Sequence, residues 1–141
     1  MYPQHEAKQE PFRTFEDLEV YKNARQFRKV MYGVTRTLPS FEKYELASQI
    51  RRAAVSLTNN IAEGHGRDHL GDYLHHLSIA NGSLMELETE VQTGTCLGYY
   101  SEDRAQVVLS RTAEVGRMLA GLTAKLKIRM HGAPQRAGVA T

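Results

Sequence analysis

The sequence predicts an all-α domain, an antiparallel up-down-up-down four-helix bundle. Three observations carry that prediction. Four segments repeat apolar residues at three- and four-residue steps, and no segment alternates apolar with polar as a half-buried strand does. Pro39, Gly64 to Gly66, and Gly98 then divide the four segments by short turns. Helices of roughly 23 to 30 residues are ~35–45 Å long at 1.5 Å per residue, and short connections between such rods leave only antiparallel neighbours.

The first helix is expected from about Phe15 to Leu38. Thr14 caps it, with Asp17 three residues on, and Leu18, Tyr21, Ala24, Phe27, Met31, Val34 and Leu38 form its apolar stripe. Pro39 stops it, because it has no amide hydrogen and disfavours a helical residue before it. Ser40 is expected to cap the second helix, with Glu42 and Glu45 against its positive end, and the helix ends at Gly64. Leu46, Ile50, Ala53, Leu57 and Ile61 make its core stripe. Its back face of Ala47, Ser48, Val55, Thr58 and Ala62 is small enough to meet a second neighbour or another subunit.

Asp68 begins the third helix, which runs to about Leu97 on Leu70, Tyr73, Leu74, Leu77, Ala80, Leu84, Leu87 and Val91. Gly82 and Gly94 weaken it by up to ~1 kcal/mol each relative to Ala, which points to close packing at both. Gly98 closes the helix. Ser101 caps the fourth, whose stripe is Val108, Thr112, Val115, Leu119, Leu122 and Leu126, with Lys125, Lys127 and Arg129 at the negative end of its dipole. The domain organisation is a flexible segment over 1–13, the bundle over 14–130 and a disordered tail over 131–141.

Bulk properties narrow the class. The 141 residues suffice for one core, and Cys96 is the single cysteine, so no intrachain disulfide forms. No apolar run approaches the ~20 residues a membrane span needs, and the polar N-terminus is no signal or transit peptide; the expected location is cytoplasmic, with no membrane partner. The net charge of +2 conceals blocks: residues 20–60 carry eight Lys or Arg against two Glu, 68–103 carry seven Asp or Glu and no Lys or Arg, and 104–141 carry seven Lys or Arg against Glu114. Such blocks either attract within the bundle or leave basic faces that collect a polyanion.

Four constellations are candidate sites. On the second helix Arg52, Ser56, Asn59 and Glu63 share a face, with Asn60 at its edge and Arg51 beside it. Glu86 and Glu88 on the third helix supply counter-charges. The set Arg51, Arg52, Ser56, Asn60, Glu63, Glu86 and Glu88 is therefore expected to act as a structural polar clasp, with Arg51 or Arg52 on Glu86 or Glu88 fixing register; the competing reading is a ligand site. His65, His69, His75 and His76, with Asp68 and Asp72, cluster near one turn. Bundle metal sites draw carboxylate and His ligands from several helices, so no metal and no cofactor is expected. Cys96 lies at the opposite end of the third helix from those histidines, and no catalytic dyad is expected; the chain reads as non-enzymatic. The fourth constellation is a basic surface for RNA or DNA phosphates. It comprises Lys22, Arg25, Lys29 and Arg36 on the first helix and Arg104, Arg111, Arg117, Lys125, Lys127 and Arg129 on the fourth.

The residues also resemble a family. Phe15-x-x-Leu18-x-Val20-Tyr21-x-x-Ala24 and Leu38-Pro39-x-x-Glu42-x-Tyr44-x-Leu46-x-x-Gln49-Ile50-Arg51-Arg52-Ala53-Ala54-x-Ser56 are similar to the bacterial four-helix-bundle proteins of the 23S rRNA intervening-sequence type. Asn60-Ile61-Ala62-Glu63-Gly64 and Leu77-x-Ile79-Ala80-x-Gly82-Ser83-x-x-Glu86-Leu87-Glu88 continue the likeness, which covers about residues 12–126. The family also looks like the accessory protein of diversity-generating retroelements. The resemblance implies a homopentamer with a positively charged surface and, for the retroelement relatives, binding to nucleic acid and to a reverse transcriptase. Thr58-Asn59 and the histidines after Gly64 depart from the family pattern. The leading expectation is thus an oligomeric, non-enzymatic nucleic-acid accessory protein. The alternative is a protein-interaction scaffold with no nucleic-acid role.

Overall fold

The computed structural model describes residues 15–132, all of it helix and connecting turn with no strand among them. The expectations for 1–13, for the Thr14 cap and for 133–141 lie outside the described residues. Four helices, α1 (Phe15–Arg36), α2 (Leu46–His65), α3 (Leu70–Cys96) and α4 (Glu102–His131), follow one another, with a 3₁₀ turn at Ser40–Glu42. Each packs on its neighbours in sequence and α4 closes onto α1, while among the described residues the backbones of diagonal pairs do not approach one another. Ser83 meets Ser56 and His76 meets Asn60, so α3 descends as α2 climbs; Arg28 on Thr58 and Asp17 beside His65 make the same antiparallel register between α1 and α2.

The core collects the residues that the periodicity singles out. Val20, Ala24, Phe27, Met31 and Val34 from α1 meet Ile50, Leu57 and Ile61 from α2, Tyr73, Leu77, Leu87 and Val91 from α3, and Val115, Leu119, Leu122 and Leu126 from α4. Each large side chain buried in this way contributes about 1.5–3 kcal/mol against its exposed state. Of the small back face of α2, Ala47 and Thr58 are buried while Ala62 is exposed. Thr58 accepts from Arg28 Nη1 (3.1 Å), which fastens that side of α2 to α1.

Three boundaries differ from expectation. Ser40 opens the 3₁₀ turn and does not cap α2, whose preceding residue Glu45 makes no side-chain cap. Phe41, Lys43, Tyr44 and Glu45 offer no side chain to the core, so nothing holds that stretch in the α2 helix until Leu46 turns inward. Asp68 lies before α3, which starts at Leu70 without a side-chain cap. Gly64 is not a helix stop but a buried α2 residue against α3, where a β-carbon would lie 2.8 Å from His76 Cβ.

At the other turn the cap signals hold. Ser101 Oγ accepts from the Arg104 amide (3.2 Å). Gly98 has φ +76° and ends α3 with amide bonds from Gly98 to Thr95 O and from Tyr99 to Gly94 O, the Schellman pattern that glycine makes without strain. Tyr100 then folds back, donating its hydroxyl to Val91 O (2.7 Å).

Candidate functional site

Small residues bring α2 and α3 together. Ala53 and Ser56 on one and Ser83 on the other let the backbones approach, and Ser83 Oγ donates to Ser56 Oγ (2.8 Å). Outside that contact the helices part into an open groove of about 680 Å³ lined by Gln49, Arg52, Ala53, Ser56, Ile79, Gly82, Ser83, Glu86 and Glu90. A hydrogen-bonded chain leads into it from the turn. His76 Nδ1 donates to Asn60 Oδ1 (3.0 Å), and Asn60 Nδ2 donates to Ser56 O (2.9 Å) and Oγ (3.2 Å). The amide oxygen can only accept, which fixes the proton on His76 Nδ1. Glu63 Oε2 stands 3.7 Å from the same nitrogen.

Glu90 is the perturbed group of the groove. One carboxyl oxygen, Oε2, is buried with no hydrogen-bond partner. Burial pushes its pKa from 4.5 up to about 7, the neighbouring Glu86 charge adds to the rise, and Arg52 partly offsets it. Because the folded value exceeds the unfolded one, Glu90 adds stability below about pH 4.5 and loses it as pH rises through 7. With the side chain partly open to water, the effect is discounted to ~1–2 kcal/mol. Glu90→Gln should therefore flatten the fall in melting temperature between pH 5 and pH 8, and an unchanged difference between variant and parent across that range would refute the assignment.

The predicted clasp is placed only in part as expected. Ser56 and Asn60 sit in the hydrogen-bonded chain, and Arg52 and Glu86 line the groove. Arg51 instead donates to Lys43 O (3.3 Å), Glu63 and Asn59 are exposed, and Glu88 points to solvent off the groove. Among the described residues no ion pair joins Arg51 or Arg52 to Glu86 or Glu88. Three participants are not identified by the sequence reading: His76 as a partner for Asn60, Ser83 as a partner for Ser56, and Glu90. The signal for the last two exists, since Ser83, Glu86 and Glu90 recur at three- and four-residue steps and so share one face.

The histidines diverge. His65 Nδ1 lies 3.2 Å from the Tyr73 hydroxyl and 3.9 Å from buried Asp17, His76 serves Asn60, and His69 and His75 are exposed. No group of three metal-ligating side chains converges among the described residues. Cys96 is exposed.

All ten predicted phosphate-binding cations are exposed, and eight of them form two rows. Arg25 lies over the Tyr21 ring (5.7 Å), and Tyr21 lines a small cavity with Ile61 and His65, so the row Lys22, Arg25, Lys29 and Arg36 runs along the outer surface of α1 opposite its buried stripe, with Arg25 toward α2. Lys22 pairs with Glu19 (3.9 Å). Arg104 lines a narrow cavity with Val34 and Thr37, which puts Arg104, Arg111, Lys125 and Arg129 on the α1 side of α4. Lys127 lines a cavity with Leu74 and Asn81 on the α3 side, and Arg117 occupies a face between. No described helix is long and apolar enough to cross a membrane.

Residues 16–121 match the family model described as 23S rRNA-intervening sequence protein. Among solved structures, a protein of unknown function from the S23 ribosomal protein family of Bacteroides thetaiotaomicron is similar with a TM-score of 0.72 at 19% identity, over 77% of this chain and 98% of that one. At that identity the likeness is one of fold. No curated protein matches the chain.

Proposed function

The chain belongs to the 23S rRNA-intervening sequence protein family, and from that premise we propose that it is a non-enzymatic accessory protein that assembles as an oligomer, a homopentamer by resemblance, and binds RNA or DNA through α1 and α4. One observation carries the reading: the charge is segregated by side. The packed pair α1 and α4 presents ten exposed cations, eight of them in the two rows, against the exposed Glu102, Asp103 and Glu114 of α4, whereas α3 carries Asp72, Glu86, Glu88 and Glu90 and no Lys or Arg. The two basic rows, one along the outer surface of α1 and one on the neighbouring face of α4, could meet the phosphates of one nucleic-acid segment. Polyanion binding of this kind needs cations on one side and no base-reading element.

The test is fluorescence anisotropy with structured RNA and duplex DNA over a salt series, with light scattering to count subunits. Neutralising Arg104, Arg111, Lys125 and Arg129 together to Gln should weaken binding at low salt and reduce the salt slope by up to ~0.9 for each phosphate left without its cation. No binding at ~50 mM salt by an intact oligomer would sink the proposal. A second reading, a protein-interaction scaffold, draws on the exposed apolar residues Phe41 (71% exposed) and Tyr44 (81%), with Phe41 edge-on to Tyr99, at one end of the bundle. A reverse transcriptase is the protein partner the resemblance implies. Co-purification that fails with Phe41→Ser and Tyr44→Ser, with nucleic-acid affinity unchanged, would favour this second reading.

A further inference from the structure

The α2–α3 groove has opposed walls. The α2 wall offers donors, the Arg52 guanidinium and the Gln49 amide, and the α3 wall offers two carboxylates, Glu86 and Glu90. Opposite charges facing each other normally close into a bidentate pair. Here they do not: among the described residues Arg52 makes no ion pair with either carboxylate. The Glu90 Oε2 atom stays buried without a partner. Between the walls Gly82 leaves open space, since a β-carbon placed on it would meet nothing within 4 Å. The cavity of about 680 Å³ lies in the range of small-molecule sites.

We propose that this groove binds a free basic α-amino acid, its carboxylate on Arg52 and its two cationic groups on Glu86 and Glu90. Two carboxylates against one guanidinium complement two cations and one carboxylate, charge for charge. The same surplus of negative charge disfavours nucleotides and other phosphate esters. Donor and acceptor walls stand unpaired across the groove, so a ligand that spans them satisfies Arg52 on one side and the carboxylates of Glu86 and Glu90 on the other at once. The raised Glu90 pKa supports this, because a cation seated there restores the ionised form. Arg52 on α2 and Glu86 on its own helix are the charged groups that line the groove beside it. The proposal stands apart from the nucleic-acid reading, which uses the other side of the bundle.

Isothermal titration of the full chain at low salt tests it with four probes: L-arginine, L-lysine, agmatine and L-glutamate. The first two should bind saturably, one per chain. Agmatine, which lacks the carboxylate, should bind at least about tenfold more weakly, and L-glutamate should give no heat. Gly82→Leu projects a side chain into the groove from a position where its β-carbon meets nothing within 4 Å, and should abolish binding with melting temperature kept or raised; Glu90→Gln should weaken it about tenfold or more. Absence of saturable heat with both basic amino acids overturns the proposal, as does binding indifferent to Gly82→Leu. Agmatine as tight as L-arginine would also overturn it, assigning the groove to polyamines. A Gly82→Leu variant that loses its oligomer while the parent gives no heat would assign the groove to a subunit contact instead.

Discussion

Gly94→Val should lower the melting temperature by roughly 10–15 °C, corresponding to about 3 kcal/mol in a domain of this size. Even a single β-carbon at Gly94 would run into the hydroxyl and ring of Tyr100. Tyr100 cannot easily yield, because its hydroxyl is donated to Val91 O and its ring is partly buried, with burial holding the phenol up at about 12. The substitution must therefore displace the α3–α4 turn or bend α3. Alanine there gains up to ~1 kcal/mol of helix propensity and should still lose net stability. A double-mutant cycle of Gly94→Ala with Tyr100→Leu isolates the clash: the double variant should be more stable than the sum of the singles predicts. Strict additivity in urea denaturation would show that the contact is not what fixes glycine there.

At the opposite end of α3, Gly64→Val should cost a similar ~3 kcal/mol. A β-carbon there would stand 2.8 Å from His76 Cβ and 3.3 Å from Tyr73 O, and a backbone oxygen cannot rotate aside. Moving α3 outward would also break the His76–Asn60 bond (3.0 Å), the start of the chain that ends at the Ser56–Ser83 contact. Gly66→Ala is the control. It sits in the same turn with ordinary φ of −83° and its nearest contact would be 3.6 Å, so its melting temperature should stay within a few degrees of the parent. Equal losses at Gly64 and Gly66 would mean that the turn, and not the helix contact, limits stability.

The fold is legible because helical burial is periodic and each helix declares its own inner stripe. Tyr73, Leu77, Ala80, Leu84, Leu87 and Val91 are buried on α3 as their spacing requires. Caps are legible only where a side chain makes the bond, as Ser101 does; Ser40 has the same chemistry, but residues 41–45 give the core nothing and the chain turns before α2 begins. Of the two glycines expected to permit close packing on α3, Gly94 does so and Gly82 faces open space instead. The groove is half legible. Arg52, Ser56 and Glu86 stand out in the sequence, but of the two expected carboxylates Glu88 lies off the groove, and the one that joins Glu86 there is Glu90, two residues from Glu88 on a different face. The split of the basic residues into two rows cannot be read from one helix at a time. Spacing says which side chains share a face, and only the neighbours' positions say which way that face looks.

The separation of charge has a consequence for orientation. A molecule with cations along α1 and α4 and anions along α3 carries an electric dipole across its short axis, and a dipole in a field feels a torque. Near a polyanion the bundle turns before it touches, with α1 leading and the acidic edge trailing. In the proposed complex with a nucleic acid, the mouth between α2 and α3 would lie on the trailing side, out of the way of the strand.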